Sequence, residues 1–86
     1  MTYKDIVLFT ANGIPEALSN LWSRHECSVV ELWDAVEDAK DGKALLRRIQ
    51  RMKLLEKFTL DRENEHRIRF KGIDCFGNIN YLEVRK

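Results

Sequence analysis

The amino-acid sequence predicts an α+β domain of three or four helices followed by a three-stranded antiparallel meander. Three observations lead there. Between Pro15 and Met52, apolar residues recur at offsets of three and four, the period of helices with one buried face. After Met52 the period changes to two, as in half-buried strands. The chain has 86 residues, 44% of them hydrophobic and 34% charged, which is enough for one core, too little for two, and too apolar for a disordered chain. Residues 1–86 are therefore read as a single domain: N-terminal helices in 1–25, a helix-turn-helix in 28–53, and the meander in 57–86.

The opening segment, Tyr3 to Ala11, contains the contiguous apolar run Ile6-Val7-Leu8-Phe9, which fits a buried strand as well as a short helix. Thr2 as a cap and Asn12-Gly13 as a terminator favour the helix. Pro15 suits the first position of a helix, where a missing N–H costs nothing. Leu18, Leu21, Trp22 and His25 then form one stripe, in which His25 reads as a packed side chain. Ser28-Val29-Val30-Glu31 is a capping box opening the next helix. In that helix Val29, Leu32, Trp33 and Val36 face inward, and Glu31, Asp34, Glu37 and Asp38 face solvent. A further helix follows with Asp41 as its cap and Leu45, Leu46, Ile49 and Met52 on one arc.

Beyond that, Lys57 to Leu60 reads as a short strand and Asp61 to Asn64 as a turn. Residues His66 to Cys75 alternate Ile68 and Phe70 with Arg67, Arg69 and Lys71, and so read as a strand with one buried face. Phe76-Gly77-Asn78 forms a second turn, and Ile79 to Arg85 a last strand with Leu82 and Val84 on one side.

Charge divides the chain. Residues 1–42 hold eight acidic and three basic side chains, and residues 43–86 hold six acidic and twelve basic, so the formal +1 is the sum of −5 and +6. Such polarity suits a cationic surface built for a polyanion, or two complementary halves that meet in a homodimer. The longest apolar run is far too short to cross a bilayer, and no basic-then-apolar leader opens the chain. The expectation is a cytoplasmic protein with no membrane partner. Cys27 and Cys75 are too few for a disulfide framework, and with His25 and His66 they match no compact zinc spacing. Phosphate-binding loops, dinucleotide fingerprints and nucleophile elbows are absent from the sequence, so no cofactor, metal or catalytic residue is assigned.

Candidate binding chemistry lies first in the helix after Gly42. Lys43, Arg47 and Arg51 are spaced by four and stack in one row, with Gln50 beside them. Any amphipathic helix carries charges outward, but this row has a single sign. Arginine and glutamine match base edges in a major groove, and lysine matches phosphate. A capped helix, a short turn at Gly42 and this basic helix, followed by a charged hairpin, resemble the winged helix-turn-helix superfamily over residues 28–71. The resemblance rests on "ELW-DAV", the turn, and "LLRRIQRMKLLEKF". It implies double-stranded DNA as partner and a role in transcription or mobile-element regulation. Lys43, Arg47, Gln50 and Arg51 would face the groove, and Arg62, Arg67 and Arg69 would lie on the wing.

Two other readings stay open. The face formed by Arg67, Arg69 and Lys71, with Arg85 and Tyr81 alongside, is similar to the sheet surface of small RNA-cleaving toxins of the RelE and HigB type, provided Ile6 to Phe9 form a strand. Their chemistry needs a base for the 2′-hydroxyl and cations for the scissile phosphate, roles that would fall to His66, Arg67 and Arg69. Alternatively Glu31, Asp34, Glu37 and Asp38 form an acidic face that docks a protein partner, as a small inhibitor would.

Overall fold

The computed structural model describes residues 3–18, 29–52, 55–74 and 76–86. The elements run β1 (Asp5–Thr10), β2 (Pro15–Glu16), α1 (Val29–Asp38), α2 (Gly42–Met52), β3 (Glu56–Glu63), β4 (Arg67–Ile73) and β5 (Ile79–Arg85). The strands form one five-stranded sheet of order β2-β1-β5-β4-β3, with every neighbouring pair antiparallel. The first long strand therefore lies beside the last, and α1 and α2 make the crossover between the two halves of the sheet.

This corrects the predicted architecture. Among the described residues there are two helices, and the sheet has five strands where the sequence predicts three. Ile6 and Leu8 point into the core while Val7 and Phe9 stay half-buried, so the apolar run is a strand that is largely covered on both sides. Asn12-Gly13, predicted to end a helix, instead closes the β1–β2 hairpin: Gly13 has φ 79°, and its N–H donates to the Thr10 carbonyl at 2.8 Å. Pro15 belongs to β2 at the sheet edge, where a strand tolerates a missing donor. The predicted stripe through Leu21, Trp22 and His25, the Ser28 cap, and both cysteines lie outside the described residues.

The rest of the chain follows its periodicity more closely. Asp41 caps α2 as predicted, its Oδ1 accepting from the Ala44 N–H at 2.8 Å. Glu63, at the end of β3, adds a second carboxylate at the same helix end by accepting from the Gly42 N–H at 3.0 Å. β3 runs through Asp61 to Glu63, the stretch predicted as a turn. As an edge strand it can carry polar residues on both faces, and its register shifts next to Lys57, whose φ is 49°.

Both helices cover one face of the sheet. Leu32, Ala35 and Val36 of α1 and Leu45 and Ile49 of α2 pack on Ile6, Leu8, Phe58, Ile68, Phe70, Leu82 and Val84. Phe58 and Phe70 stack at 5.2 Å within that layer. Gly72 lies where β4 passes beneath Leu55 and Phe58, and a Cβ there would sit 2.6 Å from the Leu55 Cβ and 3.0 Å from a Phe58 ring carbon. Gly72→Ala is therefore expected to cost about 1–3 kcal/mol by overpacking, measured as a lower denaturant midpoint at unchanged slope. At the same end of β4, Asp74 frames the β4–β5 turn by accepting from the Phe76 and Asn78 N–H groups and the Asn80 amide. Burial pushes its carboxyl up, but these bonds outweigh burial and hold it below the ordinary aspartate range. No helix among the described residues is long and apolar enough to cross a membrane.

Candidate nucleic-acid interface

Strand alternation sends a second set of side chains to the face that the helices leave open. The set comprises Asp5, Val7 and Phe9 from β1, Tyr81, Glu83 and Arg85 from β5, and Arg67, Arg69 and Lys71 from β4. The register places Glu83 directly between Val7 and Arg69, with Arg67 opposite Arg85. Two arginines facing each other across a ladder repel unless a counter-charge lies between them. Glu83 is that counter-charge.

The Glu83 side chain is 0% exposed, and both its oxygens are used. Oε1 accepts from Arg85 Nε at 2.8 Å and from Arg67 Nη1 at 3.4 Å, while Oε2 accepts from Arg69 Nε at 2.9 Å. Burial by itself raises this carboxyl. The hydrogen bonds from Arg85 and Arg69, with the charges of Arg67 and Arg69, overcome that and hold it below the ordinary glutamate range. Three guanidinium charges and Lys71, set against the carboxylates of Glu83 and of Asp5, which lies in register with Arg85, leave a net of two positive charges on this face. Arg67 and Arg85 remain 43% and 46% exposed, so the excess charge faces solvent.

Beside the cations is an aromatic pair. Phe9 and Tyr81 stack across β1 and β5 with centroids 5.5 Å apart. The Arg69 guanidinium carbon lies over both rings, 5.4 Å from the Phe9 centroid and 5.6 Å from that of Tyr81. One arginine thus joins the charged cluster to the aromatic one. Such a surface can hold phosphates through guanidinium forks and bases through ring faces.

The predicted winged-helix set is divided between the two sides of the molecule. Lys43, Arg47, Gln50 and Arg51 are exposed on α2, on the side away from the buried Leu45 and Ile49. Arg67 and Arg69 lie across the sheet on the open face. Arg62 is exposed on β3, in register with Arg69. The hairpin predicted as a wing is β3–β4, whose strands form one edge of the sheet and are tied to α2 through Glu63 and the Phe58 carbonyl. Gln50 serves the fold itself, because its Nε2 donates to the Phe58 carbonyl at 2.8 Å and ties α2 to β3. Glu31, Asp34, Glu37 and Asp38 are exposed on α1, where Asp38 pairs with Arg48 of α2 at 3.0 Å. Both partners of that pair are well exposed, so it contributes little stability.

Sequence reasoning finds Arg67, Arg69, Lys71, Tyr81 and Arg85 as one strand face and misses Phe9 and Glu83. Their importance depends on β1 lying beside β5, a non-local pairing. The available signal was that Phe9 and Glu83 have the opposite parity to the core residues Leu8 and Leu82. Comparison with protein-family models, with curated proteins and with solved structures finds no match for this chain.

Proposed function

We propose that the open face of the sheet binds single-stranded RNA. The observation that carries this reading is the combination of Arg67, Arg69 and Arg85 around a buried carboxylate with a stacked Phe9–Tyr81 pair that Arg69 overlies. Cations alone would suit any polyanion. Aromatic side chains among them suit unpaired bases, whose faces a duplex keeps stacked inside. β5 spans roughly 20 Å from Ile79 to Arg85, room for a short single strand of nucleic acid.

RNA, not DNA, is named because the strand condition for the toxin-like reading is met: Asp5–Thr10 is a strand, and it pairs with the last strand behind two crossover helices. The same observation favours a second reading, in which the bound strand is cut. There the 2′-oxygen attacks phosphorus, the bond to the 5′-oxygen breaks, and a 2′,3′-cyclic phosphate remains. The attacking hydroxyl gives its proton to a base, with His66 in the turn before Arg67 as candidate, and a solvent proton goes to the departing oxygen.

The test is binding of a fluorescent oligouridylate measured by anisotropy at 50 and 200 mM salt. Three to four phosphate contacts give a slope of about −2 to −3 for a single strand, so affinity should fall roughly 20- to 50-fold across that range. Equal or tighter binding to a duplex of the same length would remove the proposal. A cyclic-phosphate product that disappears in His66→Ala would establish the second reading, and intact RNA after prolonged incubation would exclude it.

A further inference from the structure

We infer that Arg69 and the Phe9–Tyr81 pair form a base subsite that prefers guanine. This deepens the RNA-binding reading and rests on it. The three arginines of the cluster are not equivalent. Arg67 and Arg85 are 43% and 46% exposed and share the Oε1 oxygen of Glu83, with much of each guanidinium open to solvent and free to meet phosphate. Arg69 is 24% exposed and is the one that lies over aromatic rings.

Its orientation narrows what it can recognise. Glu83 Oε2 takes the hydrogen bond from Arg69 Nε at 2.9 Å, while the guanidinium lies over the rings of Phe9 and Tyr81. The bond to Glu83 commits the Nε side of the group. The opposite edge, the two terminal nitrogens, is the one whose paired N–H donors match two neighbouring acceptors in a plane. Among unpaired bases guanine offers such a pair through O6 and N7 and cytosine through O2 and N3, whereas adenine sets a donor beside N7 and uracil a donor between its carbonyls; of the two that fit, the larger guanine covers more of the two rings. A guanine paired in the plane of the fork comes to rest against the same two rings, so the hydrogen bonds and the stacking act on one base. Glu83 is a positioning residue here, since it acts through Arg69 and is itself fully buried.

Anisotropy with the pentanucleotides UUGUU, UUAUU, UUCUU and UUUUU tests this directly. The guanine probe should bind about tenfold tighter than the other three. Replacing its guanine by 7-deazaguanine, which keeps the ring and O6 but lacks the N7 acceptor, should remove most of the advantage without any change to the protein. Arg69→Lys keeps the charge beside Glu83 but lacks the fork, and it should bind all four probes alike. Four equal affinities for the parent protein would overturn the guanine subsite while leaving RNA binding in place. No binding to any probe would overturn both.

Discussion

Replacing Glu83 by glutamine is expected to lower stability by about 3 kcal/mol, a fall of roughly 12–24 °C in the thermal midpoint. The substitution keeps the shape of the side chain and removes its charge. Three guanidinium groups that now converge on one carboxylate would then face one another, and the glutamine amide nitrogen would meet donors where an acceptor is needed. The arginines are partly exposed, so water screens some of their repulsion, which keeps the cost toward the lower part of the range for a broken buried ion pair. The effect should also depend on pH. Because the folded carboxyl is held below its ordinary range, the unfolded chain binds protons more readily on acidification. The stabilisation is complete above the ordinary glutamate range and is lost as pH falls through the folded value. Urea midpoints measured from pH 7 down to pH 3 should therefore decline less steeply in Glu83→Gln than in the parent. Asp74, also held low, preserves part of the slope in both. Parallel profiles would show that Glu83 does not carry this charge balance.

The second large effect is expected on binding, and it separates the two basic surfaces. Arg67→Gln with Arg85→Gln removes two positive charges from the open sheet face. Arg47→Gln with Arg51→Gln removes the same two charges from α2. Arg69 remains bonded to Glu83 in the first variant, so its buried carboxylate keeps a partner. Each charge-assisted contact is worth about 1.5–3 kcal/mol, so the sheet variant should bind single-stranded RNA at least about 100-fold more weakly. The helix variant has the same net charge and should stay within about threefold of the parent, since a distant charge acts only through a screened field. Circular dichroism on both variants checks that the fold survives. If the helix variant loses binding and the sheet variant retains it, the cationic row of α2 is the contact surface.

How far the fold was legible depended on whether pairing was local. α2 showed itself through its Asp41 cap and an uninterrupted apolar arc, and β4 through strict alternation around Ile68 and Phe70. β1 did not, because Ile6 to Phe9 are apolar on both faces: the core takes Ile6 and Leu8, and the aromatic cluster takes Phe9. Pro15 is as good a helix opener as it is an edge-strand residue, and only the hairpin with β1 decides between them. β3 looked too polar past Leu60 to continue, yet an edge strand need bury only one residue in several.

The site shows the same division. A single strand displayed Arg67, Arg69 and Lys71 with period two, and its neighbour displayed Tyr81 and Arg85. Glu83 read as an ordinary strand charge until the register set it opposite Arg69 and between the other two arginines. The α2 row was the more conspicuous feature of the sequence because four-residue spacing is visible without knowing any pairing. Aromatic company, which the sheet face has through Phe9 and Tyr81, appears only once the first and last strands are placed side by side.

Chemical-shift mapping of the isotopically labelled protein during titration with a short single-stranded RNA asks most directly which surface makes contact. Binding across the open face should move the side-chain signals of Phe9, Arg69, Tyr81 and Arg85 together, with the outward residues of α2 unchanged. Shifts confined to Lys43, Arg47 and Arg51, or no shifts at all at millimolar RNA, would contradict it.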